Sequence, residues 1–410
     1  MRTNGIGALS ALVAALFLAG CGGGSDGGND FNDNAGNTTQ ANIKEVVSFG
    51  DSLNDVGTYN PTTSPGLPAS GYNYAGLPFT TKPGNTWASY VALQYNFLLL
   101  PYERVDFGIP KSVVPTGTGQ VVLTGGTSYA QGGATVQTDA PNGGVVNVTS
   151  GGQTFQVQQA TALSVKSQID LYLGARSSFN THQLILADGG ANDLLNYFSA
   201  QNGTTVVGLL SSVATTGTLD AANAAVTAFA KTTADNMVAQ LQRLPTAGAT
   251  NVVYVNVPDI GTTPFAGATV AGFNQTLTAM GGQAAGLVAV TGYLPTLMST
   301  MVAAYNAEVA AGIANTKIIT FDTASMLKTV QAAPAQYGMV NVTSPACNAN
   351  AETTPGNPAT LTSLICSTAT LVAPGADSNY LFADYVHPTN GAHKIWAGLV
   401  VQQILPSIPK

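Results

Sequence analysis

The chain is poor in the residues from which metal, redox and nucleic-acid sites are built. Of its 410 residues only three are cysteine and three are histidine, so a metal role is not expected. Lysine and arginine together number 13 against 20 aspartates and glutamates, a formal net charge of -7. With no basic stripe to neutralise phosphates, nucleic acid is excluded as a partner. Repeats of the solenoid type are also absent. What the chain has instead is 45% hydrophobic residues and 46 glycines, enough to bury a sizeable core with many tight turns, in one large domain or one domain with insertions.

The first residues read as an address. Arg2 supplies a positive start, an apolar run covers residues 8–19, and Leu18-Ala19-Gly20-Cys21 closes it. The run is too short to span a bilayer as a mature helix, and its small-residue end suits a cleaved export signal. The tetrad resembles the bacterial lipobox, which implies a signal over residues 1–20, a lipid anchor on Cys21 and an exported lipoprotein of the outer membrane or cell surface. An ordinary secretory signal, giving a periplasmic or secreted protein, is the alternative. A Gly/Ser/Asn tether is expected over residues 21–42, and the folded domain over residues 43–410. Cys347 and Cys366 remain. In an exported chain they are expected to pair as a disulfide closing a polar loop, with two free thiols as the alternative.

Beyond the tether, strand and helix patterns alternate, which predicts an α/β fold: a three-layer α/β/α sandwich around a mostly parallel sheet. Strands are expected at residues 46–49, 183–187, 251–257 and 317–321. Helices are expected at 87–95, 164–173, 220–243 and 391–405. The 220–243 helix carries a stripe of Val226, Phe229, Ala230, Thr233, Met237 and Leu241. An Ala-rich helical stretch over 265–314 should break at Gly281-Gly282 and at Pro295. Between about 105 and 160 the composition turns to Gly, Thr and Val in alternation, predicting a β-hairpin insertion.

Four segments carry chemistry. Val46-Val47-Ser48-Phe49-Gly50-Asp51-Ser52-Leu53-Asn54-Asp55 runs an apolar strand into a turn that can lift Ser52 to the carboxyl edge of a parallel sheet, where open α/β folds bind ligands. Ser128-Tyr129-Ala130-Gln131-Gly132-Gly133-Ala134-Thr135 ends a strand in paired glycines that can present a backbone N–H with no side chain in the way. Leu184-Ile185-Leu186-Ala187-Asp188-Gly189-Gly190-Ala191-Asn192-Asp193 brings an amide side chain to the same edge, with Asp193 expected to cap the helix that follows. In Asp384-Tyr385-Val386-His387-Pro388-Thr389, a carboxylate three residues ahead of an imidazole can hold Nδ1–H and leave Nε2 as a base. His182 and His393 are expected to be structural. Gly23-Gly24-Ser25-Asp26-Gly27 fits the Gly-x-Ser-x-Gly elbow, but it lies in the tether with no strand before it or helix after it.

These four segments, in this order, resemble the blocks of the GDSL family of the SGNH hydrolase superfamily, over about residues 46–405. The strand ending Val255-Asn256-Val257-Pro258-Asp259-Ile260-Gly261 resembles a further family feature. The resemblance implies a flavodoxin-like sandwich and a serine hydrolase of carboxylic esters, of lipase, lysophospholipase or carboxylesterase type, needing no cofactor. It implies Ser52, Asp384 and His387 as catalytic residues and Ser52, Gly133 and Asn192 as the oxyanion hole. Ser128 stands where the family's second block usually opens with Asn, and Gly133 is chosen over Gly132 by analogy with the family's Gly-x-Thr ending. An ester substrate and a membrane, through the anchor, are the expected partners. Tyr72, Tyr74, Leu77 and Phe79 either line a substrate site or cover the core. An acyltransferase on the same residues, or a surface lipoprotein that binds glycan or lipid without turnover, are the alternatives. The second conflicts with the presence of all five site residues.

Overall fold

In a computed structural model of the protein, residues 43–61, 76–107, 121–139, 145–150, 153–158, 162–199, 202–348 and 363–408 are described. Four strands, β1 (Glu45–Phe49), β2 (Gln183–Ala187), β3 (Asn251–Val255) and β4 (Ile319–Phe321), form an all-parallel sheet in that order. Both β2 and β3 are buried along their whole length, as a parallel sheet covered on both faces requires. The sheet is extended beyond β1 by Ser128, which makes a parallel bridge with Ser48. The Ser48 N–H donates to the Thr127 carbonyl at 3.1 Å, and the Tyr129 N–H donates to the Ser48 carbonyl at 2.7 Å. The chain therefore leaves β1 toward one side and returns to the other side as β2. That reversal opens a crevice at the carboxyl ends of the neighbouring strands.

The side-chain alternation of the strands sorts the helices into two layers. Val47, Phe49, Ile185, Val252 and Tyr254 face a core built with α2 (Val165–Arg176), α3 (Ala191–Tyr197), α4 (Gly203–Thr216), α5 (Asp220–Thr246), α6 (Pro264–Met280) and α7 (Leu294–Ile313). Val46, Leu184, Leu186, Val253 and Val255 face the opposite core, formed with α1 (Trp87–Leu93) and α9 (Asn390–Gln403). A further helix, α8 (Thr323–Ala332), starts directly after β4 under an Asp322 cap that accepts the Ser325 N–H. Most of the α5 stripe is buried. Phe229 is only partly so and packs on Tyr197.

Two expectations need correction. Pro295 does not break a helix. It sits in the first turn of α7, where its missing N–H leaves no hydrogen bond unmade. The break expected at Gly281-Gly282 is present, at Gly281 with φ of +66° and the short turns Gly282–Gly286 and Leu287–Tyr293. Among the described residues Gly282–Ile313 is the one helical stretch long and apolar enough to cross a membrane. Within the fold its Leu297, Met301, Tyr305 and Val309 are core residues. The second correction concerns residues 105–160, which are not one continuous insertion. The antiparallel pairs Glu103–Phe107 with Val121–Leu123, and Val145–Ser150 with Gln153–Gln158, flank the Ser128 segment that belongs to the central sheet.

The α1/α9 layer turns on Trp87 and Trp396, both buried, with stacked rings 5.3 Å apart. Trp396→Ala is expected to cost about 3–5 kcal/mol. The check is urea unfolding followed by far-UV circular dichroism, and a loss below about 1 kcal/mol would mean the pair does not hold this layer.

Candidate active site

The turn after β1 is fixed from three directions. Gly50 has φ of +146°, and a Cβ built there would lie 1.6 Å from Asp188 Oδ1, so no other residue fits. Gln168 of α2 satisfies both sides of this residue: its Oε1 accepts the Gly50 N–H and its Nε2 donates to the Gly50 carbonyl, both at 2.8 Å. The Gln131 N–H donates to the same carbonyl at 3.0 Å, and the Asp51 N–H donates to Asp188 Oδ1 at 2.8 Å. Ser52 follows directly, at 7% exposure.

His387 Nε2 lies 2.8 Å from Ser52 Oγ, and His387 Nδ1 lies 2.6 Å from Asp384 Oδ2. A carboxylate only accepts, so Nδ1 carries the proton and Nε2 is free to accept from the serine hydroxyl. Asp384 is itself fully engaged. Its Oδ1 accepts the N–H groups of Val386 at 2.9 Å and His387 at 2.7 Å, and its Oδ2 accepts the Ser363 N–H at 2.7 Å. Burial alone would raise its pKa, but the facing His387 and these hydrogen bonds outweigh burial and hold it below the ordinary carboxylate value.

The paired glycines differ in what their N–H groups do. The Gly132 N–H donates to Asp55 Oδ2 at 2.9 Å, and the Gly132 carbonyl accepts from Tyr59 OH at 2.9 Å. The Gly132-Gly133 peptide is planar, so pinning that carbonyl also aims the Gly133 N–H the opposite way. No partner for the Gly133 or Ser52 N–H is found among the described residues. Gly133 has φ of +82° and is exposed. Asn192 donates one Nδ2 hydrogen to the Ala134 carbonyl at 3.0 Å, leaving its second hydrogen for another acceptor. The glycine turn is thus tied to the Ser52 turn through Gln131 and to Asn192 through Ala134. Asp193 does not cap α3, whose N-cap residue is Gly190. It accepts the Val136 N–H at 3.0 Å instead, joining the third segment to the second.

The remaining expectations sort as follows. The His182 carbonyl accepts the N–H groups of Lys44 and Glu45 at the start of β1. His393 is buried, accepts the Trp87 N–H on Nδ1 at 3.2 Å and stacks on Trp396. Leu77 and Phe79 are buried in a small cluster with Tyr59, Val105 and Leu364, and the Phe79 ring lies 4.9 Å from that of His387. Cys347 and Cys366 form a disulfide. Cys21, Tyr72, Tyr74 and the Gly23–Gly27 string lie outside the described residues.

Sequence reading missed the residues that hold the site. Gln168 was legible in principle, as a polar residue on the buried stripe of α2 where a partner is obligatory. Asp55, Asp188 and Tyr59 carried no signal beyond turn composition.

Residues 46–400 match the family model described as GDSL-like Lipase/Acylhydrolase. No curated protein matches the chain.

Burial dominates the carboxyls behind Ser52. It pushes Asp51, Asp55 and Asp193 up to about 6 from 3.8, and Asp188 well above that value. Between about pH 4 and 6 the folded protein therefore holds protons that the unfolded chain has lost, so stability falls as pH rises through this window. Asp384, held low, works the other way and loses its contribution only below the unfolded value. The melting temperature is expected to be higher at pH 5 than at pH 7. A calorimetric series in which it climbs steadily from pH 5 to 7 would contradict this account of the buried carboxyls.

Proposed function

Because the chain belongs to the GDSL-like lipase/acylhydrolase family, we propose that it cleaves carboxylic esters with Ser52 as nucleophile, His387 as base and acid, and Asp384 as the orienting carboxylate. The contact chain from Ser52 Oγ through both ring nitrogens of His387 to Asp384 carries this reading. Ser52 Oγ forms a bond to the ester carbonyl carbon while its proton passes to His387 Nε2. The Ser52 and Gly133 N–H groups and the second Nδ2 hydrogen of Asn192 stabilise the resulting oxyanion. Collapse breaks the carbon–oxygen bond to the alcohol, which takes the proton from Nε2. Water then repeats the sequence on the acyl-enzyme, giving the acid and restoring Ser52. Gly133 rather than Gly132 is the donor because the Gly132 N–H is already spent on Asp55.

An apolar cavity of about 40 Å³ is lined among others by Leu53, Met326, Leu327, Leu381, Val386 and Ile395, so the chain neighbours of Ser52 and His387 stand in its wall. Upstream of the fold, Cys21 in its lipobox-like tetrad is read as the site of a lipid anchor that keeps the exported enzyme on a membrane.

Ser52→Ala is expected to fold, to lose ester turnover and to escape labelling by a fluorophosphonate. Asn192→Ala should retain labelling with a rate lower by about 10²–10³. Wild-type turnover by Ser52→Ala would refute the assignment. Cys21→Ala should move the protein from the membrane to the soluble fraction, and a variant that stays in membranes would overturn the anchor.

A further inference from the structure

Lys82 is a buried cation with no role in the reaction described. Its side chain is 5% exposed, a position lysine almost never takes without compensation. Its Nζ donates to main-chain carbonyls of Pro78, of Thr80 at 2.6 Å and of Ser363 at 3.1 Å. The Lys82 N–H also donates to the Cys366 carbonyl at 2.8 Å, and the Cys366 N–H to the Ser363 carbonyl at 3.2 Å. The ammonium and main chain of Lys82 thus close over the short 3₁₀ turn Ser363–Ile365.

That turn supplies one contact to the reacting groups, the Ser363 N–H on Asp384 Oδ2, the same oxygen that receives His387 Nδ1. The disulfide holds the turn from its other end. Cys366 is bonded to Cys347, the Cys347 N–H donates to the Ala383 carbonyl at 3.2 Å, and Ala383 packs against both sulfur residues. The strap over residues 78–82 also grips the far side of the catalytic loop. Thr80 Oγ1 donates to the Pro388 carbonyl at 3.2 Å, Thr81 Oγ1 accepts the Asn390 N–H at 3.0 Å, and Phe79 lies against the His387 ring.

We propose that Lys82 and the Cys347–Cys366 disulfide act as a clamp that positions Asp384, by keeping the Ser363 N–H on Oδ2. The clamp rests on the serine-hydrolase reading of the site. Lys82 touches no reacting atom; it is a positioning residue, acting through Ser363 on the carboxylate. If the turn withdraws, Oδ2 loses a donor, the carboxylate is freed to rotate, and the imidazole loses its fixed orientation. The cysteine pair thereby gains a purpose beyond closing a loop: its oxidation sets the turnover number.

The test compares wild type, Lys82→Met and the double variant Cys347→Ala/Cys366→Ala, each alone and combined with Asp384→Asn. Substrate is p-nitrophenyl butyrate, and the deshielded Nδ1 proton of His387 is followed by NMR without substrate. Both clamp variants are expected to lose kcat by about 10–100-fold with little change in KM, and to move the Nδ1 proton resonance. In the Asp384→Asn background each should add almost nothing if the clamp works through that carboxylate rather than through the strap's contacts with Pro388, Asn390 and the His387 ring. Losses that multiply in that background, or a resonance unmoved by either variant, would overturn the proposal. If Lys82→Met does not fold, the cysteine variant carries the same comparison. A wild type that cleaves no ester while its resonance still responds to the variants would strike the hydrolase reading and leave the clamp standing.

Discussion

The peptide units on either side of Gly50 are where the chain's separate parts become one site. The N–H and carbonyl of Gly50 are held by Gln168 from a helix on one face, its carbonyl is shared with Gln131 from the glycine turn, and the space where a Cβ would stand is filled by Asp188 from the end of β2. Three segments far apart in sequence thus fix one residue, and Ser52 is two positions on. This arrangement needs a residue with no side chain and a positive φ, and it occupies the N–H groups of Asp51 and Leu53 on either side of Ser52. It also requires several polar side chains to be buried around the turn, most of their atoms paired, with Asp188 Oδ2 and Asn54 Oδ1 buried without a partner among the described residues. Removing one leaves its neighbour unpaired in a low-dielectric interior, which costs more than the lost hydrogen bond itself.

The same crowding explains the electrostatics. Asp51, Asp55, Asp188 and Asp193 are pushed up by burial, whereas Asp384 is held down by His387 and its donors. The pocket therefore separates carboxyls used as backbone-organising acceptors from the one that faces an imidazole. Near neutral pH the first group strains the fold and the second sustains the site. Stability and chemistry consequently have different acid limits.

Much of the layout was legible because the strands are short, apolar and end in turn-forming residues, and because Ser52, Asn192 and the Asp384/His387 pair each follow such an end. The contact of His387 with Asp384 agrees with their three-residue spacing, and that of Ser52 with His387 agrees with what the family resemblance implied. The supports were not legible. Gln168 sits 118 positions from Gly50, and Lys82 lies 281 positions from Ser363. No local pattern encodes a partner at that distance. Asp193 misled for the related reason that an acidic residue at a helix start has a good local use, yet the Val136 N–H, reachable only in the folded chain, took it. Pro295 misled because a proline between two helical stretches reads alike whether it ends one or begins the next.

All strands of the central sheet run the same way, and this fixes direction as well as shape. Ile43 enters at the amino edge as part of the α1/α9 core, while Ser52 stands beyond the opposite edge of β1. A five-residue strand spans about 17 Å, so the point where the chain joins the domain and the mouth of the site face opposite poles. Anything fastened upstream of Ile43 holds the enzyme by its back. With the lipid anchor proposed on Cys21, that makes the membrane the side the mouth of the site turns away from.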